Sequence, residues 1–504
     1  MSFFFAMTYD SSMRDEINAH SNLSDAARDA MLEEDFLPDP PVEVIAEINA
    51  LDETLLISAG KSKILDLRHL LWSSIDNEDS RDLDQLEVAE RLDSGNIRLL
   101  VGIADVDAFI SKNSAVDFYA AQNTTSVYTG VETFPMLPRR VSENLTSLLE
   151  DEDRLAVVID FTVAKDGTVK LNGVYRALVH NHAKLDYDSV GGWLDGNGAL
   201  PEKASNIAGL EEQLRLQDEA ANRLRAVRQS AGALEFETVE AVTTKQEGGV
   251  YELVVKQKSA ARYLIENLMI TTNVLMAGFV RENNYPAIVR IVRRPERWQR
   301  IAELAKSFGE SLPAEPDSKA LSDFLERRRA ADPVHFPDLS LSVVKLIGSG
   351  DYTVVPPGTE GDGHFGLAVS DYTHSTAPNR RYADLVTQRL VKAAIVKAAS
   401  PYTIKELEQI AARCNERQSA ARKVERRMRK IVAAQIFAER IGEIFEGIVT
   451  GVSSKGTFVR ILQPPFEGRI VKGETGLDVG DKTSVRLIKT DAEKGFIDFE
   501  RIEK

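Results

Sequence analysis

The sequence predicts an α+β protein: a mixed sheet with helices, a C-terminal OB-fold β-barrel, and a short helical segment in front. Three observations predict it. From Lys61 to about Ala204 the chain alternates strand-like runs with turns, as in Leu155-Ala-Val-Val-Ile-Asp-Phe-Thr-Val, then Lys165-Asp-Gly-Thr, then Val169 to Val179. An Asp-Gly step between two such runs signals a hairpin. Beyond 207 apolar residues recur mainly at helical spacing. From Gly442 the texture changes to five short β-rich runs, several opening on glycine, which suits a small OB-type barrel. Three parts follow: an acidic helical segment over 1–61, a main domain over 62–441 and a barrel over 442–504.

In order, residues 8–36 read as helix, with Leu23, Ala26, Ala27, Ala30, Met31 and Leu32 forming a stripe. Pro38, Pro40 and Pro41 break it, and Val42 to Leu56 reads as a second helix with Val44, Ile45, Ile48 and Leu51 on one face. Helices follow over 207–230, 259–283, 296–311, 317–331, 380–400 and 403–442. The last is basic, with Arg422-Lys-Val-Glu-Arg-Arg-Met-Arg-Lys430 as either a solvated face or a stripe toward nucleic acid. In the tail, Phe458 and Phe466, with Arg460 and Lys455, are candidates to stack single-stranded bases; core packing is the competing reading for the phenylalanines.

The 504 residues carry a net charge of −16. Residues 1–60 hold thirteen Asp or Glu against Arg14 and Arg28, and so contribute −11 of it. The rest of the chain is nearly balanced, and local field decides what binds. A single cysteine, Cys414, excludes an internal disulfide and suits a reducing, cytoplasmic setting. No basic region precedes Asp10, so the opening Met-Ser-Phe-Phe-Phe is not read as a secretory signal. No apolar run reads as long enough to span a bilayer, and no membrane partner is expected.

Two stretches carry chemistry. Asp76-Asn-Glu-Asp-Ser-Arg-Asp-Leu-Asp-Gln85 sets Asp76, Glu78, Asp79, Asp82 and Asp84 between an apolar stretch and the strand-like Ile97-Arg-Leu-Leu-Val-Gly-Ile-Ala. Crowded carboxylates repel, and all-oxygen ligands suit Mg²⁺ or Mn²⁺. Asp371-Tyr-Thr-His-Ser-Thr-Ala-Pro-Asn-Arg-Arg-Tyr-Ala-Asp-Leu-Val386 is the second. Pro378 ends an extended segment, and Asn379, Arg380 and Arg381 open a helix whose amides and dipole suit an anion. Two arginines add fork-shaped donors for phosphate, unless they pair with Asp371 or Asp384. His374 alone reads as a core histidine. Metal cluster and phosphate site together suggest metal-assisted phosphoryl transfer to water.

These motifs resemble the ribonuclease II / ribonuclease R (RNB) family of 3′→5′ exoribonucleases. Asp76 to Leu86 is similar to that family's first motif and Tyr372 to Leu385 to its second. Pro135-Met-Leu-Pro138 with Ser142 and Leu145, Leu264-Ile-Glu-Asn-Leu-Met269 with Asn273, and His364-Phe-Gly-Leu367 stand between them in the family's order. The resemblance spans about 62–440, with an RNA-binding barrel after it. It implies hydrolysis of single-stranded RNA to nucleoside 5′-monophosphates. Asp76, Asp82 and Asp84, with Gln85, would hold Mg²⁺ (Mn²⁺ as substitute) and the attacking water. Asp84 would be the least dispensable carboxylate, and Arg380 would stabilise charge on phosphorus. Tyr187 and Glu266 would hold the 3′-terminal nucleotide, Tyr128 and Phe236 would clamp the base stack, and Arg381 and Phe458 would contact RNA.

The departures are as specific. Gln85 stands where the family's last motif aspartate is expected, and Leu86-Glu87 where Ala-Ile is usual. Ala421 stands where some members carry a glutamate beside the site. Residues 1–61 are too short and too helical for the paired cold-shock barrels usual before the catalytic domain. Gln85 also admits a second reading, an RNB-like RNA-binding or regulatory protein with impaired catalysis.

Overall fold

A computed structural model describes residues 23–51, 64–237, 240–245, 251–256, 258–333, 335–359, 361–454, 456–462 and 465–502. The expected helix over 8–22, the end of the helix expected to reach Leu56, and Lys455 lie outside the described residues.

Helix α1 (23–33) buries Leu23, Ala27, Ala30 and Met31, a stripe at i, i+4 and i+7/i+8. Leu32, expected on that stripe, is exposed. Helix α2 (Val42–Asn49) buries Val44 and Ile48, while Ile45, placed on the same face by the sequence, is exposed.

Strands β1 (Leu65–Asp66), β2 (Trp72–Asp76), β3 (Gln85–Arg91) and β4 (Ile97–Ala104) begin the central sheet. Helix α3 (Ala115–Asn123) and the short strands β5 (Val127–Tyr128) and β6 (Thr133–Phe134) follow. Strands β7 (Asp153–Val163) and β8 (Val169–Asp186) complete the sheet in the order β1-β8-β2-β3-β4-β7. The long β8 borders it twice: antiparallel to β7 from Val169 to His180, and parallel to β1 and β2 near its end. The sheet therefore curls back on itself. The predicted β7–β8 hairpin forms, with Gly167 at φ +81° in its turn. Both faces of the sheet are covered. Leu100, Ala104 and Val158 enter one core, and Leu99, Val101, Ile103 and Ile159 the other. A sheet buried on both sides reads as continuous apolar runs, which explains 97–104.

Helices α4 (Tyr187–Leu194), α5 (Glu202–Asn206) and α6 (Leu210–Ser230) follow, then the hairpin β9 (Glu240–Lys245) and β10 (Tyr251–Lys256). Helix α7 (Ala260–Glu282) is long and apolar enough to cross a bilayer by length and composition, which corrects the expectation that no segment is. Here it is a core helix, burying Leu264, Leu268 and Met276 against the sheet together with Asn267 and Asn273. Strand β11 (Ala287–Ile291) precedes α8 (Trp298–Ser307), α9 (Ser318–Ala331) and α10 (Phe336–Ile347). These three helices share a separate core around Trp298, Phe324 and Phe336. Helix α10 escaped the sequence reading although Pro337 fits a first helical turn. Strand β12 (Asp351–Val355) pairs with β11.

Helix α11 (Tyr382–Ile395) begins just after Arg381, two residues later than expected. Helix α12 (Ile404–Ile436) starts with a Thr403–Glu406 capping box. Its apolar stripe, Ala420, Ala421, Val424, Met428 and Ile431, receives α1. The barrel follows: β13 (Ile444–Ser453), β14 (Gly456–Leu462), β15 (Pro465–Lys472), β16 (Lys482–Asp491) and β17 (Phe496–Arg501), closed in the order β13-β14-β15-β17-β16. A Cβ at Gly468 would meet the Phe499 ring at 2.4 Å, so only glycine fits this narrow interior. Phe437, just past α12, stacks on Phe466 with ring centroids 3.8 Å apart and seats the barrel on the helix.

Candidate active site

Asp76 ends β2 and Asp84 precedes β3, so the antiparallel pair Ser73–Glu87 brings both carboxylates to one end of the two strands. The loop between them is pinned. Asn77 N and Ser80 Oγ donate to Asp76 Oδ1 at 2.7 and 2.9 Å. Lys184 Nζ donates to the carbonyls of Glu78 and Ser80 at 2.7 and 2.5 Å. Leu83 N donates to Ser147 Oγ at 2.9 Å. A polar loop thus keeps its backbone groups partnered while projecting its acids.

The second motif arrives from α11. Arg380 Nε donates to Asp84 Oδ2 at 3.0 Å, and Asn379 N donates to Asp84 Oδ1 at 3.1 Å. The amide expected to receive an external anion receives Asp84. Ser126 N donates to Arg380 O at 3.0 Å and Tyr382 N to Thr124 O at 2.8 Å, strapping this turn to the segment that carries Tyr128. Asp84 is fully buried, while the Arg380 side chain keeps 43% of its surface exposed. One edge of the guanidinium is anchored and part of it faces solvent.

Burial pushes the Asp84 carboxyl up to about 7; Arg380 and the Asn379 amide oppose the shift, and Asp82 adds to it. Asp82 is raised by burial too, against Arg380 and with Asp76. Glu87, fully buried, is pushed up to about 8, by burial first and Asp76 second. The hydroxyl of Tyr187 is raised by burial first, then by Asp76 and Glu87.

The other candidates divide. Tyr128 is half exposed, with its hydroxyl beside Arg380, and Glu425 Oε1 accepts from Tyr128 N at 3.2 Å. Tyr187 stands at the head of α4 with the Arg262 guanidinium 4.4 Å over its ring. Glu266 lies on α7, paired with Lys258 at 3.0 Å. Phe236 packs against the separate helical core near Trp298. Arg381 turns away from Asp84 and grips Asp384 with two bonds of 2.9 and 2.7 Å, the structural pairing named as its alternative. His374 is a core histidine, its Nδ1 2.7 Å from the Tyr352 hydroxyl. Phe466 is core, whereas Phe458 lies half-buried on the other side of β14.

Some participants carried no side-chain signal in the sequence. Asn379 is fully buried and ties Asp84 to Thr146, whose Oγ1 donates to Asn379 Oδ1 at 2.5 Å. Arg262 Nη2 donates to Asn77 Oδ1 at 3.2 Å, joining the acidic loop to Tyr187. Ala421, where a glutamate was a possibility, is buried under α1, and Glu425 one turn on reaches Tyr128 instead.

The donor set of the acidic loop is oxygen throughout, which fits a hard divalent cation. Among the described residues no three His, Cys, Asp or Glu side chains are already gathered into a cage. Asp84 is held by Asn379 and Arg380, and the acids repel one another. Along β3 the alternation puts Leu86 and Val88 on one face and Glu87 and Ala89 on the other. Gln85 therefore shares its face with Glu87, not with Asp84.

A curled mixed sheet bearing a buried acid paired with an arginine is joined through a long helix to an OB-type barrel. The RNB domain description matches residues 64–397, and the RNase II-type exonuclease C-terminal S1 domain matches 443–502. The chain belongs to the RNB family. It is 29% identical over 498 residues to Ribonuclease R 1 of Lactococcus lactis and 30% identical over 438 residues to Ribonuclease R of Escherichia coli. Those alignments cover 92% and 84% of this chain, which spans 59% and 52% of the two relatives' lengths. The fold superposes on Mycoplasma genitalium RNase R with a TM-score of 0.84 at 24% identity, over 94% of this chain and 77% of that one.

Proposed function

We propose that this protein is a Mg²⁺-dependent hydrolytic exoribonuclease that shortens single-stranded RNA from its 3′ end and releases nucleoside 5′-monophosphates. The observation that carries it is the Asp84–Arg380 contact, which fixes a half-exposed guanidinium beside a buried acid at the edge of an acidic loop. Asp76, Asp82, Asp84 and Gln85 are the candidates to hold the cation. A bound divalent cation supplies Lewis acidity and a water of lowered pKa. The protein's own part is positional. Water oxygen joins phosphorus as the bond to the 3′-oxygen of the penultimate nucleotide breaks, and Arg380 meets the charge that grows on the phosphoryl oxygens. Tyr128, whose hydroxyl is beside Arg380, and Tyr187, within electrostatic reach of Asp76, would face the terminal nucleotides on this reading. Phe236 and Phe458 offer further stacking surfaces, and stacking tolerates any base. The cytoplasm suits a chain whose single cysteine, Cys414, is a buried thiol.

Gln85 favours one other reading, an RNA-binding RNB-like protein with impaired turnover. End-labelled single-stranded RNA incubated with Mg²⁺, with EDTA and with the Asp84→Asn protein decides between them. Loss of 3′-terminal nucleotides that EDTA and Asp84→Asn both stop is the expected result. Intact RNA with retained binding would select the second reading.

A further inference from the structure

Glu87 has no part in the proposed reaction. It is completely buried, and neither Oε1 nor Oε2 has a hydrogen-bond partner. A buried ionised carboxylate without donors is costly unless a charge pairs with it. Its neighbours do not offer one. Ser73, directly across on β2, and Gln217, whose Nε2 donates at 3.4 Å to the Glu87 carbonyl, each carry a side-chain oxygen that is buried and unpartnered as well. Three residues thus contribute four orphaned oxygens to one small volume. Ser73 lies three residues before Asp76, the end of β2, and Glu87 lies two residues beyond Gln85, the start of β3, so this pair sits one pleat in from the end of the strands that carries the acidic loop.

The sequence supplies the complementary fact. Gln85 stands where a fourth acid is expected, and Glu87 is the next residue on the same face of β3. We propose that Glu87 is a divalent-cation ligand in this chain, supplying from one pleat further along β3 the negative charge that Gln85 lacks. The inference rests on the cation-dependent reading of the site. Asp76 and Glu87 would hold the cation, with Gln85 contributing at most a neutral amide oxygen. The charge of the site is then preserved although its position along the strand is shifted.

The test is direct binding, not turnover. Mn²⁺ is titrated into the full chain and the free ion is followed by electron paramagnetic resonance. Wild type is compared with Glu87→Gln, Glu87→Leu, Gln85→Asp and the double variant Gln85→Asp/Glu87→Gln. Wild type is expected to bind Mn²⁺, and Glu87→Gln and Glu87→Leu to weaken that binding at least tenfold or to remove one ion. The double variant is expected to recover it. Thermal melts without metal check folding, and Mn²⁺ should raise the melting temperature of wild type more than that of either Glu87 variant. The Leu variant removes the buried polar group altogether, so it guards against a folding failure specific to Gln. Folded Glu87 variants that bind Mn²⁺ like wild type would overturn the assignment and leave the cation-dependent reading standing. Wild type that binds no Mn²⁺ would overturn both.

Discussion

A half-exposed guanidinium fixed by one edge to a buried acid is suited to meet charge that appears only during reaction. Arg380 is such a group, so on the proposed function Arg380→Ala is expected to lower single-turnover RNA cleavage by about 10²–10³-fold, the usual loss when one transition-state donor is removed. On the proposed function RNA affinity should fall far less, because Tyr128, Tyr187 and the barrel would still hold the strand. If binding and turnover drop together, Arg380 holds the ground state instead. At this scale the sequence was informative about type and silent about partner. Asp84 and Arg380 stood out as members of dense motifs, but nothing in either motif says that they bond to each other across 296 positions. The Asn379 side chain and Arg262 were invisible because an isolated polar side chain acquires a role only from what the fold sets beside it. Arg381 looked equivalent to Arg380, and the helix start decided otherwise by turning it onto Asp384.

Helix α1 seated on α12 is the contact between elements with the clearest consequences. Phe36, just beyond α1, is 1% exposed and packs with Ala420, Val424 and Met428 among others. Phe36→Ala is expected to cost about 3–5 kcal/mol, measured by urea denaturation, because a large buried ring leaves a cavity. The same contact is electrostatic at its rim. Lys423 pairs with Glu34 at 3.1 Å, Arg427 pairs with Glu33, and Arg417 Nη1 donates to the Glu34 carbonyl at 2.6 Å. Part of the basic run on α12 therefore meets the acidic N-terminal segment. If RNA passes along that face, Glu33→Gln/Glu34→Gln should tighten RNA binding at 50 mM salt, with a smaller effect at 200 mM, since screening weakens exposed charges. Unchanged affinity at both concentrations would place RNA elsewhere. The helices and the barrel strands were legible because their periodicity is local. The exposure of Leu32 and Ile45 was not, because a helix narrower in contact than its apolar stripe leaves the stripe's edge in solvent.

The whole molecule should respond to pH through groups that no single element explains. His374 is held well below its ordinary value by burial, then by Arg381 and Arg290, and His364 is lowered to about 4 by burial and Arg290. Both stay neutral in the folded chain where the unfolded chain binds protons, so stability is lost as pH falls from about 6.5 toward 4. Asp84 and Glu87 act in the opposite sense in the metal-free protein. Their raised values mean stability present at low pH is lost as pH rises toward 7 and 8. The histidine effect is isolated by difference. Between pH 7.5 and 5.5, His374→Gln should lose less unfolding free energy than wild type, and parallel losses would show that His374 is not the group involved. The sequence by itself determined the α+β class, the OB-type barrel, the identity of the chemistry-bearing motifs and the family they resemble. Each of these is written in local periodicity, turn chemistry or short spacing. Only the tertiary structure decided which carboxylates share an end of the sheet, that Asn379 and Arg380 hold Asp84, that α1 covers part of α12, and that Glu87 lies buried without a partner. Those facts depend on register, curl and burial, which are properties of distant segments brought together.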